Sequence, residues 1–88
     1  MINQYVIEGK CVLQPFTDLD SHKRLYVQAN LESTHGLVYV RSYNSKLIND
    51  IVNDVHLGDS LMITGFVGSI SEAGNLIMIL NISEFTII

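Results

Sequence analysis

The stretch that most constrains this chain is its last third, HLGDSLMITGFVGSISEAGNLIMILNISEFTII, from His56 to Ile88. Leu61, Ile63 and Val67 alternate with Met62, Thr64 and Phe66, the period of a strand with one buried face. The turn Glu72-Ala73-Gly74-Asn75 and a second apolar run, Leu76 to Ile82, complete the pattern of a β-hairpin. Gly65 interrupts the first arm, as glycine does at a bulge or at the bend by which a small barrel turns a corner. The second arm is apolar on both faces except at Asn81, so it is expected to need two covers, a core on one side and a partner subunit on the other.

Upstream, Ile2 to Gln14 alternates as a long strand bent at Gly9 and ended by Pro15, with a polar loop over Thr17–His22. Leu25, Val27, Ala29 and Leu31 mark a second strand, and the turn Glu32–Gly36 leads to a third, in which Val38 and Val40 oppose Leu37, Tyr39, Arg41 and Tyr43. From Ser45 the period changes. Leu47, Ile48, Ile51, Val52 and Val55 have helical spacing, with Asn44 or Ser45 as the cap, His56 in the last turn and Gly58 at the end. Three strands, a short helix and two strands make an all-β chain with one helix: a five-stranded OB-fold barrel, β-β-β-α-β-β, whose helix plugs one end. Residues 1–88 are expected to form a single domain.

The single cysteine, Cys11, forbids an internal disulfide and points to a reduced, cytoplasmic setting. No run approaches the ~18–20 apolar residues of a membrane span, and no signal-peptide pattern is present. A net charge of −4 opposes nucleic-acid binding unless the five Lys and Arg residues gather on one face.

The chain resembles the bacterial single-stranded-DNA-binding (SSB) proteins and their primosomal relatives. Asn3-x-Tyr5-x-Ile7-x-Gly9-x-Cys11 is similar to the family's opening strand, and Val38-Tyr39-Val40-Arg41-Ser42-Tyr43 to its third strand, which ends in an aromatic before the helix. Leu57-Gly58-Asp59-Ser60-Leu61-Met62-Ile63-Thr64-Gly65 resembles the helix-end glycine and following strand, and Ile79-Leu80-Asn81-Ile82 the last strand. Three departures mark a minimal or divergent member: Asn44 stands where the family has glycine, there is no tryptophan, and Ile88 follows the final strand without the acidic tail that recruits other proteins. The resemblance implies a non-sequence-specific binder of single-stranded DNA, with RNA left open, serving replication, repair or recombination as a homodimer or homotetramer without tail-mediated recruitment.

Such binding needs aromatic faces for bases and cations for the backbone. Period-two alternation puts Tyr39, Arg41 and Tyr43 on one outward face beside Tyr26 and Gln28, with Lys23 and Arg24 at the start of the second strand as phosphate contacts. The competing reading is that the tyrosines pave the barrel or an interface, making the chain a protein-interaction module. Phe66 and Met62 are assigned to a subunit seam. No catalytic role, metal or cofactor is expected: Cys11 lies among apolar neighbours, and His22, His35 and His56 lack zinc-site spacing.

Overall fold

The computed structural model describes residues 3–88, so Ile2, the expected start of the first strand, lies outside the described residues. Five strands and one helix follow in the expected order: β1 (Gln4–Leu19), β2 (Leu25–Ser33), β3 (Gly36–Ser42), α1 (Ser45–Asp54), β4 (Ser60–Glu72) and β5 (Asn75–Ile87). They close into a barrel in the order β1-β2-β3-β5-β4, an OB-fold. The strand β1 serves two neighbours. Its Gln4–Lys10 half pairs with β4 and its Lys10–Leu19 half with β2, both antiparallel.

Pro15 does not end β1. The strand carries register shifts between Cys11 and Leu13 and between Leu13 and Phe16, so the proline falls where no ladder partner is required. The expected polar loop shrinks accordingly, because Thr17, Asp18 and Leu19 pair with Val27, Tyr26 and Leu25. What remains is a tight turn over Asp20–Arg24 in which Lys23 takes a φ of 61°.

The inward faces supply the core: Cys11, Val27, Ala29, Leu31, Val40, Leu61, Ile63 and Ile82 from the strands, with Ile48, Ile51 and Val55 from the helical segment. Burial pushes the Cys11 thiol up, and its Sγ donates to the Leu13 carbonyl, so it behaves as a small apolar filler. Asn44 caps α1, its Oδ1 accepting from the Lys46 and Leu47 N–H groups at 3.0 and 3.1 Å. The helix ends earlier than its apolar spacing suggests, at Asp54, leaving His56 and Gly58 outside it. Gln14 does the work expected of Gly58: its Nε2 donates to the Val55 carbonyl and its Oε1 accepts from the Leu57 N–H, both at 3.0 Å. Gly58, at φ 93°, instead shapes the next turn and donates to the Cys11 carbonyl. At 10 residues, α1 is too short to cross a membrane.

The hairpin forms where expected, with Glu72 paired to Asn75. The register shifts between Thr64 and Gly65, where the second arm carries one extra residue, Ser83, between Ile82 and Glu84. The glycine is required there by space, because a Cβ on Gly65 would lie 1.8 Å from the Asn81 carbonyl oxygen and 2.7 Å from the Tyr5 hydroxyl. Tyr5 donates to that same carbonyl at 2.9 Å, and burial raises its phenol to about 12.

Gly65→Ala should therefore cost about 3 kcal/mol or more, since backbone rather than a flexible side chain must move. Urea denaturation of the purified variant measures it. Ala73 occupies a left-handed position of the hairpin turn, φ 49°, which disfavours any residue with a Cβ except Asn or Asp. Ala73→Asn should raise stability by about 0.5–1 kcal/mol, read as a higher denaturation midpoint.

Candidate nucleic-acid interface

Residues Gln28 and Arg41 stand directly opposite each other on β2 and β3, as do Asn30 and Tyr39. Because side chains alternate, Tyr26, Gln28 and Asn30 share the outward face with Tyr39, Arg41 and Tyr43. The two strands thus bring together the cluster expected from the sequence, and the tertiary structure assigns its members different situations.

Tyr39 is exposed, at 56 %. Tyr26 lies on the expected face but is not an open ring: it is only 6 % exposed. The Arg41 guanidinium sits over it, 4.1 Å from the ring centroid, and Tyr43 packs beside it with centroids 5.7 Å apart and a tilt of 58°. On the far side the Arg24 guanidinium covers Tyr43 at 5.0 Å. The result is a column, Arg41–Tyr26–Tyr43–Arg24, in which each cation takes an aromatic face. A cation–π contact of ~0.5–2 kcal/mol is comparable with the ~1–3 kcal/mol of stacking one base, so a base has little to gain by displacing either guanidinium. Tyr39 can receive a base without any such exchange.

Arg24 is also committed to an ion pair. Its Nε donates to Asp20 Oδ2 at 3.0 Å, and the carboxylate is fully enclosed. Oδ1 of the same carboxylate accepts from the His22 and Arg24 backbone N–H groups, each at 2.9 Å. Enclosure drives the Asp20 carboxyl up, but these hydrogen bonds and the Arg24 charge outweigh it and leave the group below its ordinary range. Lys23 is exposed on the same turn and makes no ion pair among the described residues. The Tyr43 hydroxyl is buried beside the Arg41 and Asp20 side chains, and burial pushes the phenol up.

A groove of about 570 Å³ opens beside this face, between β3 and the β4–β5 hairpin. Tyr39, Arg41, Gln28 and Leu37 line one side of it, and Ile77 and Met78 the other. It lies where the preceding residues of β3 and β5 are unpaired, since among the described residues the two strands pair only at Val40–Leu80 and Arg41–Asn81. At the turn between β1 and β2, the His22 ring meets the Ser71 carbonyl of the hairpin at 2.9 Å. Gln28 stands on the outward face beside Tyr26, where alternation puts it, whereas the sequence marks Asn30, Leu37 and Met78 only as strand residues and His22 only as part of a loop. Leu76 and Met78 remain about three-quarters exposed and Ile77 is partly so, so within the described chain the hairpin tip lacks the second cover its sequence suggests.

Stability contributed by the depressed Asp20 carboxyl is complete above the unfolded-state value of about 3.9 and is lost as pH falls from there through the lower folded value. Asp20→Asn should accordingly lower stability at neutral pH and flatten the acid limb of the midpoint-against-pH curve. Thermal unfolding of parent and variant between about pH 2 and pH 7 tests this.

No protein-family model and no curated protein matches the sequence. Similar folds occur among solved structures. The mitochondrial single-stranded DNA binding protein Rim1 of S. cerevisiae superposes in two crystal forms. One is at TM-score 0.81 with 12 % identity, over 99 % of this chain and 94 % of that one. The other is at 0.81 with 11 % identity, over 99 % and 96 %. The single-stranded DNA binding protein of Thermus aquaticus matches at 0.74 with 14 % identity, over 98 % of this chain but 40 % of that longer chain. At these identities the likeness lies in the fold: this chain is built on the same OB barrel as the single-stranded-DNA-binding proteins.

Proposed function

We propose that the protein binds single-stranded DNA without sequence preference, as a small homo-oligomer acting in replication, repair or recombination. The observation that carries this reading is the groove, in which an exposed ring, Tyr39, and a cation with no carboxylate partner among the described residues, Arg41, stand on one wall of an OB barrel. Bases would stack on Tyr39 and against the apolar wall of Ile77 and Met78, while Arg41 and Lys23 would meet phosphates. Tyr26 and Tyr43 would act one step back, by holding the cations. The acidic balance is less of an obstacle than its size suggests. Asp20 is neutralised by Arg24, and of the remaining acidic residues only Glu72 lines the groove.

The second reading, a protein-interaction module, is favoured by the exposed Leu76, Met78 and Leu37. The two separate in one titration. Oligo-dT should quench tyrosine fluorescence saturably, more than duplex of equal length, with a log K against log salt slope of about −1.4 to −2 for two or three phosphates. Tyr39→Ala should cost about 1–3 kcal/mol of binding. Arg41→Ala should lessen the slope by about 0.7. Absence of saturable binding by the parent at low salt would leave the interaction module as the function.

A further inference from the structure

Gln28 is joined to Arg41 by more than its place across the strands. Arg41 donates from Nε to Gln28 Oε1 at 3.1 Å, and Gln28 Nε2 donates in turn to Asn30 Oδ1 at 2.9 Å. The second bond fixes which way the Gln28 amide faces: its nitrogen is used by Asn30, so its oxygen is the atom turned to Arg41. The Tyr26 ring supports one face of the guanidinium at 4.1 Å, and the Gln28 bond sets its rotation within that plane. Among the described residues Gln28 occupies Nε and the guanidinium makes no ion pair, while the buried Tyr43 hydroxyl lies beside the same guanidinium. Both Gln28 and Arg41 line the groove.

Resting on the reading above, we infer that Gln28 is a positioning residue that holds the Arg41 guanidinium as a preset two-pronged donor for a phosphodiester of the bound strand. The chemistry favours phosphate. Two parallel N–H donors in a rigid plane match two phosphate oxygens, and a donor oriented beforehand loses less freedom on binding than a free side chain does. A lysine at this place would keep the charge and lose the fork, the Nε bond and the ring contact geometry together.

The test is a double-mutant cycle on oligo-dT, which contains no guanine edge to compete for the fork. Gln28→Ala, with its folding checked by thermal unfolding, should weaken binding about three- to tenfold and lessen the salt slope by about 0.7, as Arg41→Ala does. Adding Gln28→Ala to Arg41→Ala or to Arg41→Lys should change affinity less than twofold, because the group it positions is already gone. In NMR spectra of the free protein the Arg41 Nε–H resonance should be protected from exchange in the parent and lose that protection in Gln28→Ala. Three results would overturn the inference: Gln28→Ala binding like the parent while Arg41→Ala is weak, a loss of affinity with no change of slope, or additive losses in the double variant. If the parent itself fails to bind oligo-dT, the DNA-binding reading and this inference fall together. The first three outcomes leave that reading standing.

Discussion

Two residue pairs hold this barrel shut. Val40 with Leu80 and Arg41 with Asn81 are the only parallel contacts between β3 and β5 among the described residues. Parallel pairing is slightly weaker per residue than antiparallel, so the seam depends on what lies around it. Val40 and Ile82 are buried beneath it, and the Asn81 carbonyl, pressed against Gly65, accepts from the Tyr5 hydroxyl. That arrangement draws β1, β4 and β5 to one point. Because the pairing is so short, β3 and β5 separate immediately above it, and the groove is the part of the barrel wall that stays unzipped. A longer ladder would add hydrogen bonds and remove the cavity.

The same seam sets the electrostatics of the site. Arg41 is anchored by its backbone at the closing pair while its side chain lies outside on Tyr26. Of the five cations in the chain, Arg24 is paired with Asp20 and Lys46 with Asp50. Lys10 lines a different hollow, near Glu32 and His35. Few unpaired charges remain, so the strand binding proposed above would rest less on their number than on their orientation. The column Arg41–Tyr26–Tyr43–Arg24 provides it, with the enclosed Asp20 fixing the turn from which Arg24 reaches over Tyr43.

Strand and helix order was legible because each element announces itself locally: alternation in the strands, helical spacing from Leu47 to Val55, and a turn at Ala73-Gly74. Gly65 was recognisable as a bend, but its reason, the Asn81 carbonyl pressed against it, comes from a residue far along the chain. Pro15 was misread because a bulge that excuses a missing donor leaves no mark in composition. The helix end was placed too late because Gln14, which receives it, is more than forty residues away. For the site, alternation correctly grouped Tyr26, Tyr39, Arg41 and Tyr43 on one face, but it could not say which ring another side chain covers.

By itself, then, the sequence determined periodicity, and periodicity determines which side chains share a face and which elements a five-stranded barrel with one helix can be made from. Only the tertiary structure decided that Tyr39 stays open while Tyr26 disappears under Arg41, that Arg24 is bound to Asp20, and that β3 and β5 part after two pairs. The physical reason is that face and spacing follow from backbone geometry within one segment, whereas exposure, ion pairing and groove width depend on distances between segments that no local pattern encodes.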